Sequence, residues 1–186
     1  MYMFSYLSDP ILSYRLHLAA GLIQSEEEIV RIFDVGCGQA PLLPLLPSKY
    51  HYVGVDIDEN IIRANRERWP MHEWFGGNVD TFPVPRNTDV GLVLAVPEQA
   101  IPEMSAMIHR LADRRVKLLI IESAAYLWNT ICIKASIPQY KTIYEIEMSL
   151  SPGFSNTIDW KAFAEKWEHE PGMAARDRVF GAYRRC

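Results

Sequence analysis

Asp34, Gly36, Gly38 and Asp56 are the residues whose types and spacing point most directly to chemistry. Asp34 stands two places before the turn Gly36-Cys37-Gly38, which follows an apolar run containing Ile29, Val30, Ile32 and Phe33. Glycines at such a turn let the backbone bend sharply and approach a ligand with no Cβ in the way. Asp56 closes a second apolar run, Tyr52-Val53-Gly54-Val55. A carboxylate there can accept hydrogen bonds from both hydroxyls of a ribose. Two acids around a Gly-X-Gly turn suit a nucleoside ligand that carries a cationic tail.

These residues need strands and helices to position them. Residues 10–24 carry Ile11, Leu12, Leu16, Leu18, Ala19, Leu22 and Ile23 at helical spacing. Apolar, β-rich runs follow at 29–35, 51–55, 72–75, 89–95, 116–121, 142–150 and 177–184, and segments at 40–46, 58–68, 98–113, 124–136 and 158–169 read as helices. Asp58 is the expected N-cap of the helix ending at Arg68, and Thr157 or Asp159 of the one containing Trp160 and Phe163. Strands alternating with helices predict an α/β protein with a doubly wound, mostly parallel seven-stranded sheet and helices on both faces. The last two runs are expected to form an antiparallel C-terminal edge hairpin. In such a sheet, ligands bind at the carboxyl ends of the strands, where Asp34 and Asp56 fall.

Two nucleoside ligands compete for this pattern. A dinucleotide site wants Gly-X-Gly-X-X-Gly with a pyrophosphate at the helix N-terminus. Here Pro41 stands in place of the third glycine, and Asp34 would face the pyrophosphate with like charge. The same Asp34 suits an ammonium group and the ordering of the loop. The acid, more than the glycines, separates the two ligands.

Residues 29–121 resemble the core of a class I, seven-stranded S-adenosylmethionine-dependent methyltransferase. The motifs are Ile32-Phe33-Asp34-Val35-Gly36-Cys37-Gly38, Tyr52-Val53-Gly54-Val55-Asp56-Ile57-Asp58, Gly77-Asn78-Val79-Asp80-Thr81-Phe82-Pro83 and Asp89-Val90-Gly91-Leu92-Val93-Leu94-Ala95. The resemblance implies that S-adenosyl-L-methionine is the cofactor. Asp34, Gly36, Cys37 and Gly38 would line its methionine portion, Asp56 would bind the ribose, and Ile57 would pack on the adenine. Asn78 and Val79 occupy the adenine motif, with Asn78 where the family usually has an acid; its amide oxygen still accepts a hydrogen bond, and Asp80 is a possible substitute. Leu94 and Ala95 would offer backbone near the transferred methyl group.

Methyl transfer from a sulfonium requires alignment above all, so a general base is optional. The carboxylates available at the ends of the fourth and fifth strands are Glu98 and Glu122. Either could equally be a first-turn helix acid stabilising the helix dipole. Val96-Pro97-Glu98 lacks the full polar-Pro-Pro-aromatic loop of amino-group methyltransferases. The five histidines, His17, His51, His72, His109 and His169, show no partner spacing and read as structural or surface residues. Glu145 and Glu147 share a strand face, but no metal site is expected. Tyr2, Phe4, Tyr6, Trp128 and Tyr140 could cap an apolar substrate, although aromatics at such places more often pack in the core. Arg110, Arg114, Arg115 and Lys117 read as a solvated helix end.

The 186 residues suffice for one domain. Its expected parts are an N-terminal helical and cap segment (1–28), a cofactor-binding core (29–121) and a substrate-side helix with C-terminal strands (122–186). Net charge is −4, which disfavours a nucleic-acid partner. Three widely spaced cysteines form neither a disulfide framework nor a metal-ligand set, and suit a reducing cytoplasm. No apolar run approaches the roughly 20 residues of a membrane span, and Asp9-Pro10 interrupts the N-terminal apolar stretch, so neither a membrane nor a leader is expected. The leading expectation is a cytoplasmic methyltransferase acting on oxygen or nitrogen of a small-molecule acceptor, with a possible homodimer or partner subunit completing a shallow site. The alternatives are a catalytically silent cofactor-binding or partner-stabilising protein, an RNA methyltransferase and a nicotinamide-dependent oxidoreductase.

Overall fold

A computed structural model of the chain describes residues 10–79, 81–94, 101–124, 137–148 and 178–186. Its elements are α1 (Pro10–Gln24), β1 (Arg31–Val35), a 3-10 turn (Leu43–Leu45), β2 (His51–Asp56), α2 (Glu59–Arg68) and β3 (Glu73–Gly76). They continue as β4 (Val90–Leu94), α3 (Ile101–Asp113), β5 (Leu118–Ala124), β6 (Tyr140–Met148) and β7 (Arg178–Arg185). The seven strands form one sheet in the order β3-β2-β1-β4-β5-β7-β6. The first five are mutually parallel; β7 runs antiparallel to β5, and β6 antiparallel to β7. The expected doubly wound sheet with its antiparallel edge is the observed architecture. The strand order reverses between β1 and β4, so the crevice of such a sheet opens beside the end of β1.

The central strands are apolar on both faces because both faces are covered. Ile32, Tyr52, Leu92 and Ile120 pack with Leu16, Ala19 and Ile23 of α1. Phe33, Val53, Val93 and Ile121 pack with Met107, Ile108 and Leu111 of α3 on the other side. Side chains alternate along a strand, so Asp34 falls on the α1 side with Ile32, and Glu122 on the α1 side with Ile120. Register brings Asp34 level with Gly54 and Leu92, and Leu94 level with Glu122. A single helix therefore overlies the acidic ends of β1 and β5.

Two local expectations change. The helix expected at 40–46 is only the short turn at Leu43–Leu45, with Ala40 at φ 52° and Leu46 extended. Pro41, Pro44 and Pro47 remove backbone donors, and a proline disfavours the helical conformation in the residue before it. β5 does not end at Ile121 but continues through Glu122 and Ser123 to Ala124, because β7 supplies a ladder opposite them: Glu122 pairs with Phe180 and Ala124 with Arg178. Asp58 caps α2 as expected, accepting from the Asn60 and Ile61 N–H groups. The segments 124–136 and 158–169, with Thr157 and Asp159, lie outside the described residues apart from Ala124 itself.

Gly54 shows how tightly β2 sits beneath the turn after β1. A Cβ there would lie 2.6 Å from the Trp74 ring and 2.8 Å from the Cys37 sulfur. Trp74 cannot swing away without losing the bond its Nε1 donates to the Trp69 carbonyl at 3.0 Å. Gly54→Ala should therefore destabilise the fold by about 2 kcal/mol through overpacking. Urea denaturation measures this, and an unchanged midpoint would show that the ring and the loop give way freely.

Among the described residues, no helix is long and apolar enough to cross a membrane.

Candidate functional site

The turn after β1 is held from three sides. The Gly36 and Cys37 N–H groups both donate to the Val55 carbonyl, at 2.9 and 3.0 Å. Gly36 and Gly38 take φ values of 69° and 49°, in the left-handed region that glycine enters without a steric penalty. The Gly38 N–H donates to Asp56 Oδ2 at 2.9 Å, and Asn65 of α2 donates to the Gly38 carbonyl at 2.7 Å. The second Asp56 oxygen accepts from the Asp58 N–H at 3.0 Å. Asp56 thus braces both the glycine turn and the start of α2.

A cleft opens between this turn and α1. Arg15 and Leu16 line it from α1, Asp34, Gly36 and Gly38 from the end of β1 and its turn, and Leu94 from the end of β4. Asp34 is buried and accepts a short hydrogen bond from the Tyr52 hydroxyl. Burial raises its carboxyl from 3.8 to about 7; the Tyr52 bond opposes this, the Asp56 charge adds to it, and Arg15 counters it more weakly. Burial, with the charges of Asp34 and Asp56, pushes the Cys37 thiol far up, so Cys37 packs as an uncharged group rather than acting as a nucleophile.

Arg15 forms a buried ion pair with Glu122 at the carboxyl end of β5. Its Nε is buried and has no hydrogen-bond partner. The cleft therefore sets a guanidinium and one carboxyl group, that of Asp34, beside open glycine backbone, with Glu122 ion-paired to the guanidinium. A Cβ at Gly38 would meet nothing within 4 Å, which leaves room for a ligand to lie against the turn.

The sequence-derived residues distribute around this cleft as follows. Asp34, Gly36, Cys37, Gly38 and Leu94 line it. Ile57 and Asn78 follow the neighbouring ends of β2 and β3, and Asp56 is joined to this second loop by the bond from the Gly77 N–H to its carbonyl. Ile57 is 76% exposed, an unusual state for an isoleucine and one that leaves an apolar surface for a flat ring. The Asn78 side chain is exposed, while its backbone carbonyl accepts from Thr81 and Phe82. Val79 is half-buried against the α3 side of the core, and its carbonyl accepts from Arg110, which is thereby drawn out of the solvated cluster expected for it. Lys117 likewise pairs with Asp89 at 3.2 Å and Glu28 at 3.6 Å.

Ala95, Glu98, Asp80, Tyr2, Phe4, Tyr6 and Trp128 lie outside the described residues. Tyr140 is a core residue whose hydroxyl donates to the Val116 carbonyl, so it does not cap a substrate. His51 bonds Glu73 at 2.6 Å at the amino ends of the strands, away from the cleft. Among the described residues, no three His, Cys, Asp or Glu side chains are grouped to hold a metal ion.

Sequence reasoning missed Arg15, Tyr52 and Asn65. Arg15 left a signal, since it sits one helical turn before Ala19 on the apolar stripe of α1, where a charge is out of place. Asn65 left a similar one, three residues after Ile62 on the buried face of α2. Tyr52 reads as an ordinary apolar strand residue and left none.

No family model matches the chain. Solved structures resemble it over nearly its whole length. The N-methyltransferase NodS from Bradyrhizobium japonicum WM9 matches with a TM-score of 0.69 at 15% identity, covering 96% of this chain and 98% of that one. Magnesium protoporphyrin IX methyltransferase (ChlM) from Synechocystis PCC 6803, with bound SAM, matches with a TM-score of 0.64 at 15% identity, covering 99% and 86%. The [4+2]-cyclase SpnF matches with a TM-score of 0.63 at 15% identity, covering 94% and 82%.

Proposed function

Proceeding from a class I methyltransferase fold, we propose that this chain binds S-adenosyl-L-methionine and transfers its methyl group to an oxygen or nitrogen of a small molecule. The observation that carries the reading is Asp34, a buried acid that lines a cleft beside open glycine backbone. Burying an acid without a cationic partner is unfavourable, and an arriving ammonium group supplies that partner. A pyrophosphate would instead meet like charge.

The other residues suit the remaining parts of the cofactor. Asp56 has carboxylate lone pairs beyond the two it uses for Gly38 and Asp58, and these would take the ribose hydroxyls. Ile57 would cover the adenine ring, and the Asn78 amide oxygen would accept from its amino group. Leu94 would flank the reacting centre.

When bound, the cofactor supplies an activated methyl group on a good leaving group. The chain's own task is then to hold nucleophile and methyl in line and to keep water out. Glu122 is already paired with Arg15 inside the core, so it does not serve as a free base in this state. Alignment supports turnover by itself where the acceptor is already nucleophilic.

Calorimetry with S-adenosylmethionine, S-adenosylhomocysteine and NAD tests the reading. The first two are expected to bind and NAD not to; binding of NAD alone would overturn it.

A second reading is supported by the same buried ion pair. With Glu122 engaged by Arg15, a catalytically silent protein that binds the cofactor or stabilises a partner fits as well. Formation of S-adenosylhomocysteine across a panel of small amines, phenols and carboxylic acids separates the two, since only the enzyme produces it. The charge of −4 gives an RNA acceptor less support. A cytoplasmic location and a homodimer or partner subunit belong to the same proposal.

A further inference from the structure

We propose that Tyr52 is a positioning residue for cofactor binding: its buried hydroxyl holds Asp34 as a carboxylate whose charge stays available to the ammonium of the methionyl tail. The inference rests on the reading of S-adenosyl-L-methionine as the cofactor. It assigns a part to a residue that does not itself line the cleft.

Tyr52 and Asp34 stand on neighbouring parallel strands. Asp34 is level with Gly54, and Tyr52 lies one two-residue step earlier, on the same α1 side of the sheet. From there the phenol ring carries its hydroxyl to Asp34 Oδ2. The ring is fully buried and packs against Trp74 and His72, with centroids 5.6 and 6.3 Å away. Packing of the ring therefore fixes the donor.

The titratable groups around Asp34 are Tyr52 and Asp56 of β2, Cys37 of the turn and Arg15 of α1. Asp56 repels its charge, Cys37 keeps its proton, and Arg15 is engaged by Glu122. Of the two groups that favour the carboxylate, the Tyr52 bond outweighs Arg15. A hydroxyl also differs from a cation in a way that matters to the ligand. It donates a hydrogen bond without neutralising the acid, so an arriving ammonium group still meets a net negative charge. A lysine or arginine in its place would compete with that ammonium. Tyr52 remains a donor throughout, because burial and the Asp34 charge hold its proton well beyond the usual phenol range. With the bond in place the Asp34 carboxyl lies at about 7, and the carboxylate is populated at neutral pH.

Tyr52→Phe keeps the ring and removes only the hydroxyl. Losing a hydrogen bond to a charged group should move the ionisation of Asp34 upward by about one pH unit. S-adenosylhomocysteine should then bind the variant about tenfold more weakly than wild type at pH 6, and within about twofold of it at pH 8. 5′-Methylthioadenosine keeps the nucleoside and thioether but lacks the amino-acid tail. It should stay within about twofold of wild type at both pH values, having no ammonium to lose.

A loss equal at the two pH values, or shared by methylthioadenosine, would show that the hydroxyl serves only the packing of the core. Should Tyr52→Phe fail to fold, Asp34→Asn with and without Tyr52→Phe makes the same distinction. With no charge at position 34, removing the hydroxyl should change S-adenosylhomocysteine binding by less than about twofold; a further tenfold loss would overturn the role through Asp34. If neither ligand binds wild type, the cofactor reading itself has failed, and the role of Tyr52 with it.

Discussion

Asp34→Asn is expected to make the ligand-free protein more stable at pH 8 while removing most of its cofactor affinity. The stability half follows from burial, which raises the Asp34 carboxyl from 3.8 to about 7. Below pH 3.8 the group is protonated in both folded and unfolded chains and carries no penalty. Between 3.8 and 7 the unfolded chain ionises it and the folded chain does not, so stability is lost as pH rises. Above 7 the loss is complete. A shift of about three pH units corresponds to about 4 kcal/mol, an upper figure for so buried a group. Asparagine has no charge to bury. Urea denaturation should therefore find the variant and wild type alike at pH 4 and the variant ahead by about 2–4 kcal/mol at pH 8. A difference independent of pH would show that the Asp34 charge is not what strains the fold.

The binding half of the same variant runs the other way. Losing a charge-assisted bond to an ammonium group should weaken S-adenosylhomocysteine about a hundredfold. In wild type, only the ionised form of Asp34 attracts that ammonium group. Affinity should thus be about tenfold weaker at pH 6 than at pH 8, and binding near neutral pH should release protons to the buffer. Calorimetry in buffers of different ionisation enthalpy measures the release. Affinity that is flat across this range would separate Asp34 from the ammonium.

Asp56→Ala is expected to weaken S-adenosylhomocysteine by about a thousandfold, because the two charge-assisted hydrogen bonds proposed to the ribose would be lost together with the brace on the glycine turn. The brace is visible in the Gly38 and Asp58 N–H groups that share the carboxylate. A 2′-deoxyribose analogue separates the two effects. Wild type should prefer the ribose form, and the alanine variant should bind both forms equally. A variant that still discriminates would assign the ribose to another residue, leaving Asp56 as the brace alone.

The elements are legible in the sequence because each rests on a local pattern. The helical spacing of 10–24 corresponds to α1, and the apolar runs correspond to the seven strands to within a few residues. The proline-rich stretch after the glycine turn is the exception. Its apolar residues suggest a helix, while Pro41, Pro44 and Pro47 prevent one. The turn itself and the two acids at the strand ends are equally plain, since a Gly-X-Gly turn and a carboxylate closing an apolar run are themselves local patterns.

The partners of those acids are decided elsewhere. Asp34 meets Tyr52, Asp56 meets Gly38, Asn65 reaches from α2 to the same glycine, and Arg15 crosses 107 residues to Glu122. Strand and helix periods operate over neighbouring residues and so carry the fold class, the strand sequence and the glycine turn. They say nothing about which side chains the packed sheet brings face to face. Local patterns specify an α/β sheet with acids at its carboxyl ends; the packed fold lays the arginine of α1 beside them, because burial between helix and sheet makes that charge find Glu122.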